Sequence, residues 1–223
     1  MTKIEKAKRV SQVLDELYPN PPIPLLHENA FTLCIAVLLS AQATGKSVNL
    51  VTPELFRRAP TPEAMVKLGP EKILSIIKTV GLAPTKSRNV WNLCRLLLEK
   101  QGGKIPNSFE ELEALPGVGH KTASVVMSQG FGFPAFPVDT HIHRLAERWG
   151  LSYGTTVEQT EKDLKKLFPE DQWNKLHLQI IYYGREYCPA RGHDLERCVL
   201  CRELAAKTRR VKTEKVKKVP AKR

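Results

Sequence analysis

The sequence predicts an all-α protein, because its apolar residues recur at helical spacing and no stretch alternates as a β-strand does. Helix-spaced apolar residues occur, for example, at Val10, Val13, Leu14 and Leu17 and at Ile73, Ile76, Ile77 and Val80. Proline and glycine, which interrupt helices, mark the joints at Pro19-Asn20-Pro21-Pro22 and at Gly102-Gly103. We therefore expect a helical body with no βαβ rhythm and no internal repeat.

The remaining helices follow from the same criterion in chain order. Stretches with a helical apolar pattern are 31–39, 91–98, 108–115, 157–168 and 173–185. The short stretch 108–115 begins with Ser108-Phe109-Glu110-Glu111, which is typical of a capping box at a helix start. The apolar run 31–39 is far shorter than the roughly 20 residues that a membrane span needs.

Composition excludes several classes of protein. The 223 residues are 42% apolar and 26% charged, which is ordinary for a globular protein and excludes a chain that is disordered throughout. The first residues lack the apolar stretch of a secretory signal, and five scattered cysteines do not form a disulfide framework. Cys34 and Cys94 lie on apolar helix faces and are expected in the core. We expect a cytoplasmic protein with no membrane partner.

Positive charge is concentrated at the end of the chain. The formal net charge is +12, and residues 207–223, with nine Lys or Arg and one Glu, account for +8 of it. Such a composition predicts a disordered basic tail. It fits either a solvated tail that aids solubility or a sequence-independent tether that contacts DNA phosphates.

The most specific motif is Leu115-Pro116-Gly117-Val118-Gly119-His120-Lys121-Thr122-Ala123. A short helix ends at Pro116, two glycines allow a sharp turn, and a new helix begins after Gly119. The N–H groups at the start of that helix point outward and suit a phosphate. A Gly-x-Gly pair alone would indicate only a joint between helices, but the complete string indicates a helix-hairpin-helix element.

Two further strings accompany the hairpin, Leu38-Leu39-Ser40-Ala41-Gln42-Ala43-Thr44 before it and Pro137-Val138-Asp139-Thr140-His141-Ile142 after it. With these three motifs in order, the chain resembles the endonuclease III family of DNA glycosylases from about residue 7 to Cys201. The resemblance implies a two-lobed helix-hairpin-helix DNA glycosylase fold with the active-site cleft between the lobes. It also implies base-excision repair, in which oxidised pyrimidines are removed and the strand is then cut at the abasic site.

The implied lobes correspond to residues 23–133, which include the hairpin, and to residues 1–22 together with 134–206. The second lobe would contain a degenerate cysteine loop, and 207–223 would be the disordered basic tail. The expected partner is double-stranded DNA that contains damaged bases or abasic sites, and a monomer is expected.

Lys121 and Asp139 match the family's catalytic positions. A lysine in the first turn of a helix lies at the positive end of the helix dipole, which favours a neutral, nucleophilic amine. The resemblance assigns Lys121 the attack on C1′, the Schiff base and β-elimination, whereas the simpler alternative is a surface lysine that touches phosphate. Asp139 precedes a helical pattern as an N-cap would. The resemblance gives its carboxylate a part in activating the nucleophile and stabilising the cationic sugar.

Other matched residues are expected to bind DNA, namely Gln42, Leu82, Gly117, Gly119, His120, Thr122 and His141. By resemblance, Gln42 fills the gap left by the everted nucleotide, and Leu82 is a wedge in the opposite strand. From the residues alone, Gln42 is a polar residue at a helix end and Leu82 is a buried anchor of a loop. The chain departs from the family at Gly45, usually Asp, and at His120, often Arg, which bears on substrate preference and turnover.

The C-terminal cysteines depart furthest from the family. Most members hold a [4Fe-4S] cluster with the spacing Cys-x6-Cys-x2-Cys-x5-Cys, whereas this chain has Cys188, Cys198 and Cys201, with Lys207 at the fourth position. Three interpretations stay open. They are a [4Fe-4S] cluster in an incomplete motif, a loop without metal, and a zinc site of three cysteines with His193.

Two alternative functions draw on the same motifs. A non-catalytic helix-hairpin-helix DNA-binding module needs the glycines and the basic tail but not Lys121 and Asp139 together. A mismatch-specific glycosylase of the same superfamily, as in the adenine-mismatch relatives, lacks a lysine at the position of Lys121 and has an extra C-terminal domain. The features of both alternatives therefore favour the bifunctional enzyme, a DNA glycosylase and DNA-(apurinic or apyrimidinic site) lyase.

Overall fold

The computed structural model describes residues 1–205, and all regular secondary structure in that part is helical, as predicted. Residues 206–223, and with them the predicted basic tail, lie outside the described residues. No helix within residues 1–205 is long and apolar enough to cross a membrane. The α-helices in chain order are α1 Lys3–Leu17, α2 Ala30–Ser40, α3 Gly45–Arg58, α4 Pro62–Leu68, α5 Pro70–Ile77, α6 Ala83–Gln101, α7 Phe109–Glu113, α8 His120–Val125, α9 Thr140–Arg148, α10 Val157–Leu167, α11 Trp173–Glu186 and α12 Val199–Leu204.

The chain divides into two compact units. One is Ile23–Pro137, and the other combines Met1–Pro22 with the described residues from Val138 to 205. The first unit holds α2 to α8, with a π-helical segment, Val126–Gly130, that continues α8. The second unit holds α1 and α9 to α12, with a 3₁₀ turn at Glu170–Gln172.

The Ile23–Pro137 unit is built around α2. All nine residues from Phe31 to Leu39 are buried, so this helix is covered on every face. Helices α3, α6 and α8 pack against it. Asn29 caps its N-terminus, where its side chain accepts from the Thr32 N–H at 3.0 Å. Cys34 and Cys94 are both buried in this core, as predicted.

The C-terminus of α2 is held by Lys86, which reaches it from the buried face of α6. The Lys86 Nζ donates to the carbonyl oxygens of Leu39 at 2.9 Å and Ala41 at 2.6 Å. These carbonyls belong to the end of a helix, where backbone acceptors lack intrahelical partners. Burial lowers the pKa of the Lys86 ammonium below its ordinary value. Lys86 therefore fixes the backbone just before Gln42.

The second unit is built from α1, α9 and α11. Trp149 and Tyr183 are fully buried and meet edge to face, with ring centroids 5.7 Å apart. The buried Gln179 amide of α11 donates to the Leu14 and Tyr18 carbonyls at the end of α1, at 3.2 and 2.9 Å. A buried polar side chain thus supplies hydrogen bonds to the free carbonyls at the end of α1, as Lys86 does at the end of α2 in the first unit.

The short helix predicted over 108–115 is smaller than expected. It spans Phe109–Glu113, with Ser108 as its N-cap. Only half of the predicted capping box forms, because the Glu111 carboxylate accepts instead from the Gln101 side chain at 3.0 Å. The chain after Glu113 closes in a turn, with the Leu115 N–H donating to the Leu112 carbonyl.

We expect Lys86→Met to lower the free energy of unfolding by about 1–3 kcal/mol, because it removes the donor to two carbonyls at a buried helix end. Lys100→Met, in the exposed last turn of the same helix, is the matched control and should change stability by less than about 0.5 kcal/mol. Thermal unfolding followed by circular dichroism compares the two. Equal melting temperatures would contradict the proposed support of α2.

Candidate functional site

The hairpin between α7 and α8 is a tight turn anchored by two buried side chains. Leu115 and Val118 are buried, and the Val118 N–H donates to the Leu115 carbonyl at 3.0 Å. Gly117 adopts a φ of 80°, which glycine reaches without strain. A Cβ at Gly117 would lie 2.8 Å from the Asn89 amide nitrogen and 3.1 Å from a Leu38 methyl. The hairpin therefore packs directly on α2 and α6.

Helix α8 begins with a glycine cap. Gly119 is the N-cap residue and contributes no side-chain cap, and a Cβ there would meet nothing within 4 Å. Lys121, in the first turn of α8, is half-buried, and Thr122 beside it is buried. The positive end of the helix dipole lies at this turn and disfavours a charged ammonium.

His120 is turned back toward α7. Its Nδ1 lies 2.8 Å from the Glu113 carboxylate, and its ring stacks on Phe109 with centroids 5.9 Å apart. The side chain remains half-exposed. When the His120 imidazole is protonated, the neighbouring Glu113 carboxylate offsets its positive charge. The local charge here therefore differs from that of an unpaired arginine.

Gln42 and Leu82 both have left-handed backbone. Their φ values are 52° and 61°, and they are the non-glycine residues with positive φ in the described part of the chain. Such a conformation costs a non-glycine residue about 1 kcal/mol or more and is often found at functional sites. The loops touch, because a Cβ at Gly81 would lie 3.3 Å from the Gln42 carbonyl oxygen.

Leu82 is not the buried anchor that its Gly/Pro surroundings suggested. Its side chain is 57% exposed, although it is a large apolar residue next to the N-terminus of α6. Gln42 is exposed as well. The structure therefore brings Gln42, Leu82 and the hairpin together around the end of α2 and the start of α6.

Asp139 is the N-cap of α9, as predicted. Its Oδ1 accepts hydrogen bonds from the backbone N–H groups of His141 and Ile142, both at 2.9 Å. The carboxylate is half-buried, and its direction is set by the helix start. His141 lies on the same helix with its Nδ1 3.4 Å from the Arg144 guanidinium.

The C-terminal cysteines meet a histidine in the second unit. Cys188, His193, Cys198 and Cys201 are all buried, and one potential ligand atom from each lies within 4.8 Å of all the others. The Cys188 and Cys201 sulfurs are 3.5 Å apart. Three thiols and an imidazole are a donor set that suits a metal, so the structure assembles a candidate metal centre here.

Two polar side chains surround these sulfurs. The Arg148 guanidinium donates to the Cys188 Sγ at 3.1 Å, and the Tyr183 hydroxyl lies 3.4 Å from the Cys198 Sγ. The Cys188 and Cys201 thiols donate to Cys198 and hold its pKa well below the ordinary value. Cys198 is thus the member of the cluster most easily kept as a thiolate.

Comparison with known proteins identifies the family. The model of the HhH-GPD superfamily of base excision DNA repair proteins matches residues 35–170. Endonuclease III of Treponema pallidum (strain Nichols) is 46% identical over 204 residues, which cover 90% of this chain and 96% of that protein. The chain belongs to the endonuclease III family.

Solved structures of endonuclease III agree with this assignment. A trapped covalent intermediate of endonuclease III with DNA, an estranged-adenine complex, matches with a TM-score of 0.85 and 38% identity over 90% of this chain and 94% of the other. A non-covalent endonuclease III–DNA complex matches with a TM-score of 0.87 and 37% identity over 92% of this chain and 95% of the other. The fold is therefore the endonuclease III fold.

Membership decides between the functions that the sequence left open. Endonuclease III is a DNA glycosylase and AP lyase of base excision repair, and so is this protein. The predictions of family, fold and enzyme class are confirmed. The non-catalytic DNA-binding module is set aside.

Lys86 and Arg148 support the site and were missed from the sequence. The signal for Lys86 was present, because it lies at helical spacing with the buried Ala83, Val90 and Leu97. A lysine on an apolar stripe must satisfy its charge inside the protein. Arg148 carried no comparable signal, since a basic residue in the last turn of a helix is common.

The two hairpin glycines should respond differently to alanine. Gly117→Ala should lower the free energy of unfolding by more than about 1 kcal/mol, because the methyl group meets Asn89 and the φ is unfavourable. Gly119→Ala is the matched control, since its φ of −101° suits any residue and the added methyl meets open space. Urea unfolding of both variants tests this, and equal loss in both would refute the packing argument.

Proposed function

We propose that this protein removes oxidised pyrimidines from double-stranded DNA and then cuts the strand at the abasic site, with Lys121 as the nucleophile. The observation that carries the proposal is the place of Lys121, a half-buried lysine in the first turn of α8 directly after a glycine cap. The chain is 38% identical to an endonuclease III that was trapped covalently on DNA. A covalent intermediate requires a protein nucleophile, and a neutral amine suits a sugar carbon.

The proposed reaction uses one amine for both steps. The Lys121 Nζ bonds to C1′ as the bond from C1′ to the base breaks, and the bonding electrons leave with the base. The amine loses a proton and the sugar ring opens, which produces a Schiff base. Loss of a proton from C2′ then expels the 3′ phosphate by β-elimination, and water releases Lys121 from the imine.

Asp139 is proposed as the carboxylate that assists this attack. Both backbone N–H groups bind its Oδ1, so the helix start directs the whole carboxylate without a flexible partner. A fixed negative charge stabilises the positive charge that develops on the sugar as the base departs. It also favours transfer of a proton away from the attacking amine.

The remaining matched residues are proposed to hold the DNA. Exposed Gln42 would occupy the gap left by the everted nucleotide, and exposed Leu82 would enter the opposite strand. The backbone at Gly117 and Gly119 would approach a phosphate, with Thr122 in the following turn. His120 and His141 are further candidates for contacts to DNA, although Glu113 and Arg144 neighbour their rings.

The resemblance implies a [4Fe-4S] cluster in the cysteine loop. The usual ligand set is four thiolates, and the described cluster offers three thiols and the His193 imidazole. The donor set therefore fits a bound metal but lacks the fourth thiolate of that cluster. No step of the proposed reaction uses this group, and a metal held by these residues would support the fold around α9, whose Arg144 and Arg148 donate to the Cys188 carbonyl.

Lys121→Ala should abolish the covalent complex that borohydride traps between this protein and abasic-site DNA, because no amine remains to form the Schiff base. Lys46→Ala is the matched control, since Lys46 is an exposed lysine in the first turn of α3. Denaturing gels show the trapped complex. Undiminished trapping by the Lys121 variant would overturn the assignment.

Asp139→Asn should reduce base excision by roughly 10²-fold or more, because it removes the charge that stabilises the transition state. Asparagine caps helices as well as aspartate does, so the melting temperature should stay close to that of the wild type. Asp139→Ala, in contrast, should lose excision and also about 1 kcal/mol of stability. Single-turnover excision from a thymine-glycol duplex and thermal unfolding separate the roles, and full excision by the Asn variant would leave Asp139 only as a cap.

A further inference from the structure

The His193 imidazole is buried, and its ring nitrogens lack hydrogen-bond partners among the described residues. It is 7% exposed, and neither ring nitrogen makes a hydrogen bond of normal geometry to any described residue. One of its ring nitrogens lies within 4.8 Å of the sulfurs of Cys188, Cys198 and Cys201. Burying both nitrogens of an imidazole without partners is costly. A metal ion bound to one of them would remove that cost.

The loop that carries His193 differs from the family in length. Nine residues separate Cys188 from Cys198, whereas the family pattern has six. Gly192, with a φ of 67°, turns the chain immediately before His193. The longer loop thus delivers an imidazole to the three sulfurs.

The spacing of the donor atoms matches a single ion. Zinc–sulfur bonds of about 2.3 Å in a tetrahedron place two sulfurs about 3.8 Å apart. The Cys188 and Cys201 sulfurs are 3.5 Å apart, and all four donors lie within 4.8 Å of one another. A [4Fe-4S] cluster is held by four cysteine thiolates, and this loop offers three. The donor set therefore fits one ion with three thiolates and an imidazole better than it fits that cluster.

The chain offers no fourth thiol near this loop. Its other cysteines, Cys34 and Cys94, are buried in the core of the Ile23–Pro137 unit. Lys207 stands where the family has its fourth cysteine, and residues 206–223 contain neither cysteine nor histidine. His193 is the residue that completes a set of four.

We propose that Cys188, His193, Cys198 and Cys201 bind one Zn²⁺ ion in a closed structural site. Three thiolates and a neutral imidazole around Zn²⁺ carry a net charge of −1, and the Arg148 guanidinium at the Cys188 sulfur offsets it. The Tyr183 hydroxyl is placed to donate to the Cys198 sulfur. Four buried protein ligands and charged neighbours of this kind are typical of structural zinc.

The ion would tie together elements that hold α9 in place. Arg144 and Arg148 of α9 donate to the Cys188 carbonyl at 3.1 and 3.5 Å. Helix α12, which carries Cys201, is joined to α1 by the Arg9–Glu203 ion pair at 2.7 Å. Zinc thereby stabilises the C-terminal support of the helix that begins after Asp139. This inference does not depend on the catalytic roles of Lys121 and Asp139.

The first test is the metal content of the full chain, purified without oxygen from cells supplied with both iron and zinc. We expect one zinc per chain, with neither iron nor acid-labile sulfide. Four irons and four sulfides per chain, with the broad visible absorption of a cluster, would overturn the proposal. Protein that contains no metal and binds no added Zn²⁺ would overturn it equally.

The second test identifies the fourth ligand by exchanging zinc for Co²⁺, whose visible bands report tetrahedral geometry and thiolate number. The wild type should show tetrahedral bands with three thiolates, and His193→Cys should keep the geometry and add a fourth thiolate-to-metal band. His193→Ala should bind Co²⁺ at least about 100-fold more weakly. His27→Ala, a histidine of the other unit bonded to the Leu25 carbonyl, should bind as the wild type does.

The His193→Cys variant still tests the ligand at position 193 if His193→Ala does not fold. An unchanged Co²⁺ spectrum in His193→Cys would show that position 193 is not a ligand. Wild-type affinity in a folded His193→Ala would show the same.

Discussion

The burial of α2 on every side is the constraint on which the Ile23–Pro137 unit depends. A helix without an exposed face must end inside the protein, and its last carbonyls then need donors from elsewhere in the chain. Lys86 supplies that donor from α6. Since Leu82 is the N-cap of α6 and the α2 helix ends before Gln42, one buried ammonium links the two exposed residues proposed to enter DNA. The hairpin rests against Leu38 and Asn89, on the same two helices.

Helix N-termini account for the chemistry proposed at Lys121 and Asp139. The same partial positive charge acts on side chains of opposite sign. In the proposed mechanism it favours a neutral, nucleophilic amine at Lys121 in the first turn of α8. At the start of α9, two backbone N–H groups hold the Asp139 carboxylate in place. Neither effect requires an unusual residue nearby.

In the proposed zinc site, the cysteine loop exchanges one ligand of the family's cluster and keeps its place in the chain. Arg148, Arg144 and Tyr183 surround the loop from α9 and α11, so the polar surroundings suit a negatively charged metal centre. The short distances between donors and the buried imidazole suit one ion. A structural zinc ion needs four protein ligands. A loop between Cys188 and Cys198 that is three residues longer than the family's can supply a histidine in place of the cysteine that the family has at the position of Lys207.

Short-range features of this protein were determined by its sequence alone. Helical periodicity, the N-cap at Asp139 and the glycine hairpin depend on residues within a few positions of one another, so a local pattern predicts each of them. The helix predicted over 108–115 ends at Glu113, because the chain then turns into the hairpin with the Leu115 N–H donating to the Leu112 carbonyl. Tertiary structure decided which groups meet across long stretches of chain and which stay exposed. Lys86 binds a carbonyl 47 positions away, and Leu82 proves exposed. Such partners depend on how whole helices pack, and no local pattern of residues encodes that packing.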